Sequence, residues 1–151
     1  MKVLLTQFIL LFTVFFANAQ VNLNELEAYK DVEVKVEENF SSSTALVMEV
    51  KDYDKLLVGA KVAAFLEMNG FTIVSSESAD AVEKYYLFRY NYEFITDKKR
   101  CGGTIIKLMN GQVFDPTRQE IVATFSFEQK RNKICTDDIA KVLAYKLKRG
   151  S

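Results

Sequence analysis

Hydrophobic and polar residues alternate most regularly in residues 82–95. The even positions hold five aromatic residues, Tyr86, Phe88, Tyr90, Tyr92 and Phe94. The odd positions include the polar residues Arg89, Asn91 and Glu93. Because successive side chains of a β-strand point to opposite faces, this period of two predicts a strand with one aromatic face.

Other segments predict further strands of the same sheet. In residues 31–38, Val32, Val34 and Val36 alternate with Glu33, Lys35 and Glu37. The remaining predicted strands cover residues 44–50, 71–75, 104–109 and 120–128. Asn110-Gly111 predicts a turn after residues 104–109, because both residue types tolerate the positive φ of tight turns. Residues 112–119 are expected to continue as a loop.

Two segments have the periodicity of helices. The first runs from an N-cap at Asp52 or Asp54 to Asn69, and Asn69-Gly70 is expected to end it. The second covers residues 136–148, with Thr136 as its predicted cap. Acidic residues in its first turn and basic residues in its last turn suit the helix dipole.

The order of these elements predicts the fold class. Two strands, a helix, four strands and a final helix, with many antiparallel signals, favour an α+β fold. We expect a two-layer sandwich with a mostly antiparallel sheet of about five to six strands and two helices on one face. Residues 31–149 would form this single domain, after a lead-in over residues 20–30.

The first 19 residues have the pattern of a secretory signal peptide. Lys2 precedes an apolar run over residues 3–16, and Ala17-Asn18-Ala19 provides a small-x-small cleavage site before Gln20. A transmembrane anchor is the alternative, but a span needs about 20 apolar residues and this run has about 15. We therefore predict an exported protein, periplasmic or secreted, with no transmembrane anchor after cleavage.

Composition narrows the classes of function. Removal of residues 1–19 takes away one lysine and no acid, which leaves one more acidic than basic residue. This balance gives no general attraction to nucleic acid. The chain has no histidine, the usual general base and a common zinc ligand. We predict no catalytic residues, no metal site and no cofactor, although enzymes without histidine exist.

Cys101 and Cys135 are the two cysteines of the chain. In an exported protein such a pair predicts a structural disulfide, which here would tie the final helix to the sheet. A redox-active pair is the alternative, but the chain has no Cys-x-x-Cys motif and no histidine to lower a thiol pKa.

Basic residues precede both cysteines, and a disulfide would bring them into one patch. They are Lys98, Lys99, Arg100, Lys130, Arg131 and Lys133. One interpretation is a contact for an anionic partner, such as a phosphorylated lipid head group or an acidic glycan. The other is two solvated turns.

The aromatic face of residues 82–95 also has two interpretations. It could be a platform for sugar rings or an apolar ligand. It could instead be the core face of the sheet beneath the helices, which we favour.

Residues 44–76 (TALVMEVKDYDKLLVGAKVAAFLEMNGFTIVSS) and residues 101–147 resemble small exported proteins of Bacteroidota, chiefly flavobacteria. The resemblance implies an envelope location and a compact α/β domain, and it carries no activity or functional residue across. We expect a non-catalytic envelope domain that binds a protein or glycan partner. The alternatives are an envelope enzyme that uses carboxylate, lysine or tyrosine groups, and a subunit whose strand over residues 31–38 pairs with another chain.

Overall fold

The computed structural model describes residues 22–49, 54–130 and 133–151. The predicted signal peptide, Asp52 and Arg131 lie outside these ranges. Within them, no helix is long and apolar enough to cross a membrane.

Six strands and three α-helices make up the described part of the domain. The strands are β1 (Val32–Val36), β2 (Ala45–Met48), β3 (Ile73–Val74), β4 (Tyr85–Asp97), β5 (Gly103–Asp115) and β6 (Glu120–Glu128). The helices are α1 (Ala28–Asp31), α2 (Val58–Met68) and α3 (Thr136–Gly150). Short 3-10 helices cover Leu23–Glu25 and Ser76–Ala81.

The strands form one mixed sheet in the order β1-β6-β5-β4-β2-β3. The four strands β1, β6, β5 and β4 pair antiparallel, whereas β2 runs parallel to both β4 and β3. Lys61 of α2 and Asp137 of α3 form an ion pair of 2.7 Å, which links the two long helices. The predicted α+β class is confirmed, and the architecture is consistent with a two-layer sandwich.

The core lies between the sheet and the long helices. Tyr86 and Phe88 of β4 are fully buried there with Leu66 of α2 and Leu143 of α3. Alternate residues of β4 therefore face the helices, and the intervening residues lie on the opposite face of the sheet. We call that second face the open face.

The predicted turn at Asn110-Gly111 is wrong. Both residues lie in the middle of β5, where Asn110 pairs with Asn91 and Ser126 on the flanking strands. Gly111 is required there by packing, because a Cβ atom would overlap the ring of Phe125 and the carbonyl oxygen of Arg89. Close approach of a ring to the backbone, and not turn geometry, explains this glycine.

The turn between β5 and β6 comes later, at residues 116–119. The Asp115 carboxylate accepts hydrogen bonds from the backbone N–H groups of Thr117 at 2.9 Å and Arg118 at 3.1 Å. Gln119 has a φ of 58°. An aspartate that holds the following backbone in this way is a common turn device.

Helix α2 begins at Val58, later than the sequence pattern suggested. Leu57, with a φ of 51°, takes the N-cap position that the sequence predicts for Asp52 or Asp54. Asp54 nevertheless supplies the cap, because its carboxylate accepts hydrogen bonds from the N–H groups of Val58 and Gly59 at 2.9 and 2.8 Å. The helix ends as predicted at Asn69-Gly70. The N–H of Phe71 bonds back to the carbonyl of Leu66 at 3.1 Å, so the Phe71 side chain returns to the core.

Thr136 does not cap α3, contrary to the prediction. It is the first residue of the helix and is buried, while Cys135 takes the N-cap position with an extended backbone. The disulfide holds Cys135 at that position. The expected acidic first turn and basic last turn are both present.

Candidate functional site

The open face of the sheet carries a shallow depression of about 520 Å³. Strands β4 and β5 supply most of its lining, and Glu49, which directly follows β2, supplies the rest. The lining residues are Glu49, Arg89, Tyr90, Asn91, Asn110, Gly111 and Gln112.

The polar side chains of this depression belong to two neighbouring rows, because polar residues of β6 and β1 lie in register with those of β4 and β5. The first row runs Arg89, Gln112, Thr124 and Lys35 across β4, β5, β6 and β1. The second row runs Asn91, Asn110, Ser126 and Glu33 across the same strands. We call these eight residues the polar floor.

The dimensions of the polar floor follow from sheet geometry. Neighbouring strands lie about 4.8 Å apart, so each row spans roughly 14 Å. The two rows are two residues apart along the strands, which separates them by roughly 7 Å. This area accommodates an extended ligand of a few rings lying across the strands.

The charges of the polar floor and of Glu49 beside it are balanced. Arg89 donates from Nε to Oε1 of Glu49 at 2.8 Å, and both side chains are partly exposed. At the other end, Lys35 and Glu33 contribute one charge of each sign. The middle of the floor consists of amides and hydroxyls, which donate and accept hydrogen bonds without carrying charge.

An apolar row borders the floor on one side, and on the other side the row consists of Glu93, Leu108 and Glu128. Register places Leu87, Phe114 and Ile121 in the adjacent row, where Ile121 is 45% exposed. The guanidinium carbon of Arg89 lies 4.9 Å from the centre of the Phe114 ring. On the other side, Leu108 of β5 is 36% exposed.

The aromatic residues at the even positions of β4 lie on the face that carries the helices. Tyr86, Phe88 and Tyr90 are buried in the core, and Tyr92 packs against it while partly exposed. Phe94 is 38% exposed, with the Lys55 ammonium 4.8 Å from its ring centre. Four of the five rings thus contribute to the core, on the opposite side of the sheet from the polar floor.

The hydroxyls of Tyr90 and Tyr92 converge on the cap of helix α2. They donate to the Asp54 carboxylate at 3.0 and 2.6 Å. Burial acts to raise the pKa of Asp54, but hydrogen bonds from Tyr92, Gly59, Val58 and Tyr90 outweigh it and lower the pKa. Burial and the bond to Asp54 raise the pKa of Tyr90. This cluster fixes the start of α2 against β4.

The predicted disulfide between Cys101 and Cys135 is present, with the two Cα atoms 5.4 Å apart. It brings the turn that contains Lys98, Lys99 and Arg100 close to residues 133–135. All three of these basic side chains are exposed.

Two of the other predicted patch residues already have acidic partners. Lys133 forms an ion pair with the buried Asp97, and this contact together with the Lys99 N–H lowers the pKa of Asp97. Lys130 pairs with Asp31 at 3.2 Å. The patch therefore carries less net positive charge than its sequence suggested.

Sequence reasoning did not identify the polar floor. The alternation in residues 82–95 indicates Arg89 and Asn91 as polar positions, but it does not show which residues lie opposite them, because the sequence predicts a turn at Asn110 and a loop at Gln112. Strand pairing through the middle of β5 is what brings the amides together. Among the described residues, no group of three or more Cys, Asp or Glu side chains could hold a metal ion.

Comparison with known proteins identifies the fold but no family. No protein-family model matches the chain, and no curated protein matches it. Among solved structures, it is similar to a point variant of the PelC dodecamer from Paraburkholderia phytofirmans, with a TM-score of 0.50, 12% identity, and coverage of 77% of this chain and 93% of that chain.

Two further structures are similar at lower scores. A second PelC dodecamer structure from the same organism has a TM-score of 0.49 and 16% identity, and covers 77% of this chain and 94% of that one. A PDZ domain protein from Parabacteroides distasonis has a TM-score of 0.47 and 10% identity, and covers 74% of this chain and 33% of that one. These similarities concern the fold alone.

Proposed function

We propose that this chain is an exported envelope domain that binds a neutral glycan on the open face of its sheet. The observation that carries the proposal is the polar floor, in which two adjacent rows of amide, hydroxyl and charged groups cross four strands. The mixture suits a ligand with many hydroxyl groups, because each sugar hydroxyl both donates and accepts hydrogen bonds.

The balance of charge favours a neutral ligand over an acidic one. Arg89 is the one cationic residue among the described residues that line the depression, and Glu49 accepts its Nε–H at 2.8 Å. An anionic ligand would have to compete with Glu49 for the guanidinium. A neutral sugar can instead bond to both members of the pair, in the way that a few placed polar groups orient ligands in other sites.

The apolar side chains beside the floor supply the second element of sugar recognition. Sugar rings present C–H faces as well as hydroxyls, and these faces pack on apolar or aromatic side chains. Phe114 and Ile121 lie beside one polar row, and Leu108 lies beside the other. A chain of sugars across the strands would contact amides beneath it and apolar groups at its edges.

We favour binding over catalysis because the carboxylate that lines the depression is paired with an arginine. Glu49 is the one acidic side chain among the described residues that line the depression, and it is committed to Arg89. Hydrolysis of a glycosidic bond ordinarily requires two carboxyl groups on either side of that bond.

The disulfide supports the part of the proposal that concerns location. Disulfides persist in oxidising compartments, which include the bacterial periplasm and the extracellular space. We therefore include in the proposal that the signal peptide is cleaved before Gln20 and that the domain acts in the envelope. The resemblance to exported Bacteroidota proteins also implies an envelope location.

Calorimetric titration of residues 20–151 with neutral and acidic oligosaccharides tests the proposal. We expect a neutral oligosaccharide to bind, and a double variant Asn91→Ala/Asn110→Ala to bind it about tenfold or more weakly, because each lost hydrogen bond contributes about 1 kcal/mol. The matched control is Lys98→Ser/Lys99→Ser/Arg100→Ser, which should leave binding unchanged.

The same panel separates this proposal from recognition of an anionic partner. Binding that is restricted to acidic glycans or to phosphorylated lipid head groups, and is lost in the Lys98/Lys99/Arg100 variant, would assign function to the basic turn. Binding of no oligosaccharide by the folded protein would also refute the proposed role.

A further inference from the structure

Strand β1 is an edge of the sheet, paired with β6 on one side. The hydrogen bond from the Glu37 N–H to the Val122 carbonyl, 3.0 Å, fixes which of its residues bond to β6. In an antiparallel pair these residues alternate, so Glu33 and Lys35 direct their backbone groups toward β6. Val32, Val34 and Val36 direct theirs away from the sheet.

Both outward groups of Val32 are occupied, because its N–H bonds to the carbonyl of Ala28 in α1 and its carbonyl accepts from Lys146. Nζ of Lys146 lies 2.6 Å from the carbonyl oxygen of Val32 and 2.6 Å from that of Tyr29. Within the ranges that the structure describes, the outward backbone groups of Val34 and Val36 have no hydrogen-bond partner. Their side chains pack against the core and remain partly exposed. An added strand that bonds to Val34 would satisfy the outward groups of that residue and extend the apolar layer.

The sequence of β1 is complementary to itself in one register. When two copies pair antiparallel with Val34 opposite Val34, Glu33 of each copy lies opposite Lys35 of the other. The backbone groups of Val34 then bond to those of Val34 in the other copy. Val36 lies opposite Val32, whose own groups are already bonded within its chain. Opposite charges directly across an antiparallel pair stabilise it, and these positions are the closely spaced, non-hydrogen-bonded ones.

The neighbouring registers lack this match. A shift in one direction places Lys35 opposite Lys35, and a shift in the other places Glu33 opposite Glu33. Like charges directly opposite are destabilising. Asp31, the residue before Val32, belongs to α1 and pairs with Lys130 at 3.2 Å, so it does not extend the strand opposite Glu37.

We propose that β1 pairs with β1 of a second copy, which joins the two sheets into one across a two-fold axis. Directly opposite residues of an antiparallel pair point to the same face, so both helix layers would lie on one side and both open faces on the other. The two polar floors would then be continuous, because the row that ends at Lys35 would meet the row that ends at Glu33 of the second copy. The pairing itself does not depend on the identity of any ligand.

Sedimentation of residues 20–151 over a range of concentrations tests the pairing without ligand. We expect a reversible monomer–dimer equilibrium in the wild type. Lys35→Glu or Glu33→Lys should weaken dimerisation about tenfold or more, because each places like charges opposite each other at two symmetric positions. The double variant Glu33→Lys/Lys35→Glu should restore it, since the opposite charges are exchanged and not removed.

Lys98→Glu, an equal change of charge in an exposed turn, is the matched control and should leave the equilibrium unchanged. Val34→Pro removes an outward N–H and no bond to β6, and it should give a folded monomer. A wild type that stays monomeric at every concentration would overturn the proposal. An assembly that neither single charge reversal weakens would overturn it too, as would a double variant that does not recover dimerisation.

Discussion

Asn91 on β4 lies directly opposite Asn110 on β5, and Asn110 in turn lies opposite Ser126 on β6. This places two side-chain amides side by side in the centre of the open face. Asn is disfavoured within strands, because strand interiors favour β-branched and aromatic residues. Its presence on two paired strands at one level indicates a surface that the sheet displays and does not bury.

Gly111 lets the Phe125 ring lie directly against β5, so we expect Gly111→Ala to destabilise the domain. A Cβ atom would overlap the Phe125 ring and the Arg89 carbonyl, and overpacking of this kind costs about 1–3 kcal/mol. Chemical denaturation measures the change in the free energy of unfolding. The neighbouring variant Asn110→Ala removes an exposed side chain and should change stability far less. Equal stability of the Gly111→Ala variant and the wild type would contradict the packing seen here.

Asp54 stabilises the start of α2, and Asp54→Ala should destabilise the fold by about 3 kcal/mol. The change removes the helix cap and leaves the hydroxyls of Tyr90 and Tyr92 without their acceptor. The double variant Tyr90→Phe/Tyr92→Phe measures how much of this loss belongs to the hydroxyls. If Asp54→Ala costs as much in that background as in the wild type, the two tyrosines are not coupled to Asp54.

The free energy of unfolding should decrease at acidic pH, and part of this decrease should depend on Asp54. Its pKa in the folded state lies below the ordinary value of 3.8, so its contribution is present above that pH. The contribution is lost as the pH falls through the folded-state pKa. The pKa values of Asp97 and Asp115 are also lowered, so these two carboxylates add to the loss of stability at acidic pH. Denaturation curves at a series of acidic pH values should show that the free energy of unfolding falls less steeply with pH for Asp54→Asn than for the wild type.

Tyr90 should ionise at higher pH than an ordinary tyrosine, whose pKa is 10.0. Burial and the hydrogen bond to Asp54 both disfavour the phenolate. Spectrophotometric titration of the wild type and Tyr90→Phe should differ by one phenol that ionises last. A Tyr90 that titrates like an ordinary tyrosine would show that its hydroxyl is not held by Asp54.

The disulfide should account for a large part of the stability. Cys101 and Cys135 are separated by 34 positions, and closing a loop of this length stabilises by about 4 kcal/mol in the chain-entropy description. The double variant Cys101→Ser/Cys135→Ser should therefore unfold at much lower denaturant concentration than the oxidised wild type. Its stability should match that of the reduced wild type, which serves as the control. A difference between these two would show that the serines themselves perturb the structure.

The sequence pattern predicted the layers better than it predicted the site. The strand Glu120–Glu128 follows from the alternation of its side chains. The end of α2 at Asn69-Gly70 follows from the backbone conformations that these two residue types favour. The turn prediction at Asn110-Gly111 is wrong because an Asn-Gly pair looks the same in the sequence whether the glycine is needed for a turn or for close packing within a strand. The polar floor depends on which residues lie opposite each other, and that register is a property of the whole sheet. Single-strand alternation therefore located Arg89 and Asn91 but could not join them to Gln112 and Asn110.

The central claim is that ligand binds on the open face at the polar floor. The most direct measurement is an NMR titration of isotope-labelled residues 20–151 with a neutral oligosaccharide, read at the backbone and side-chain amide signals. We expect Asn91, Asn110 and Gln112 to shift and saturate together, while Asn39 and Asn69 remain unchanged. Shifts confined to the turn that contains Lys98–Arg100, or no shifts at Asn91 and Asn110 when binding occurs, would contradict the account.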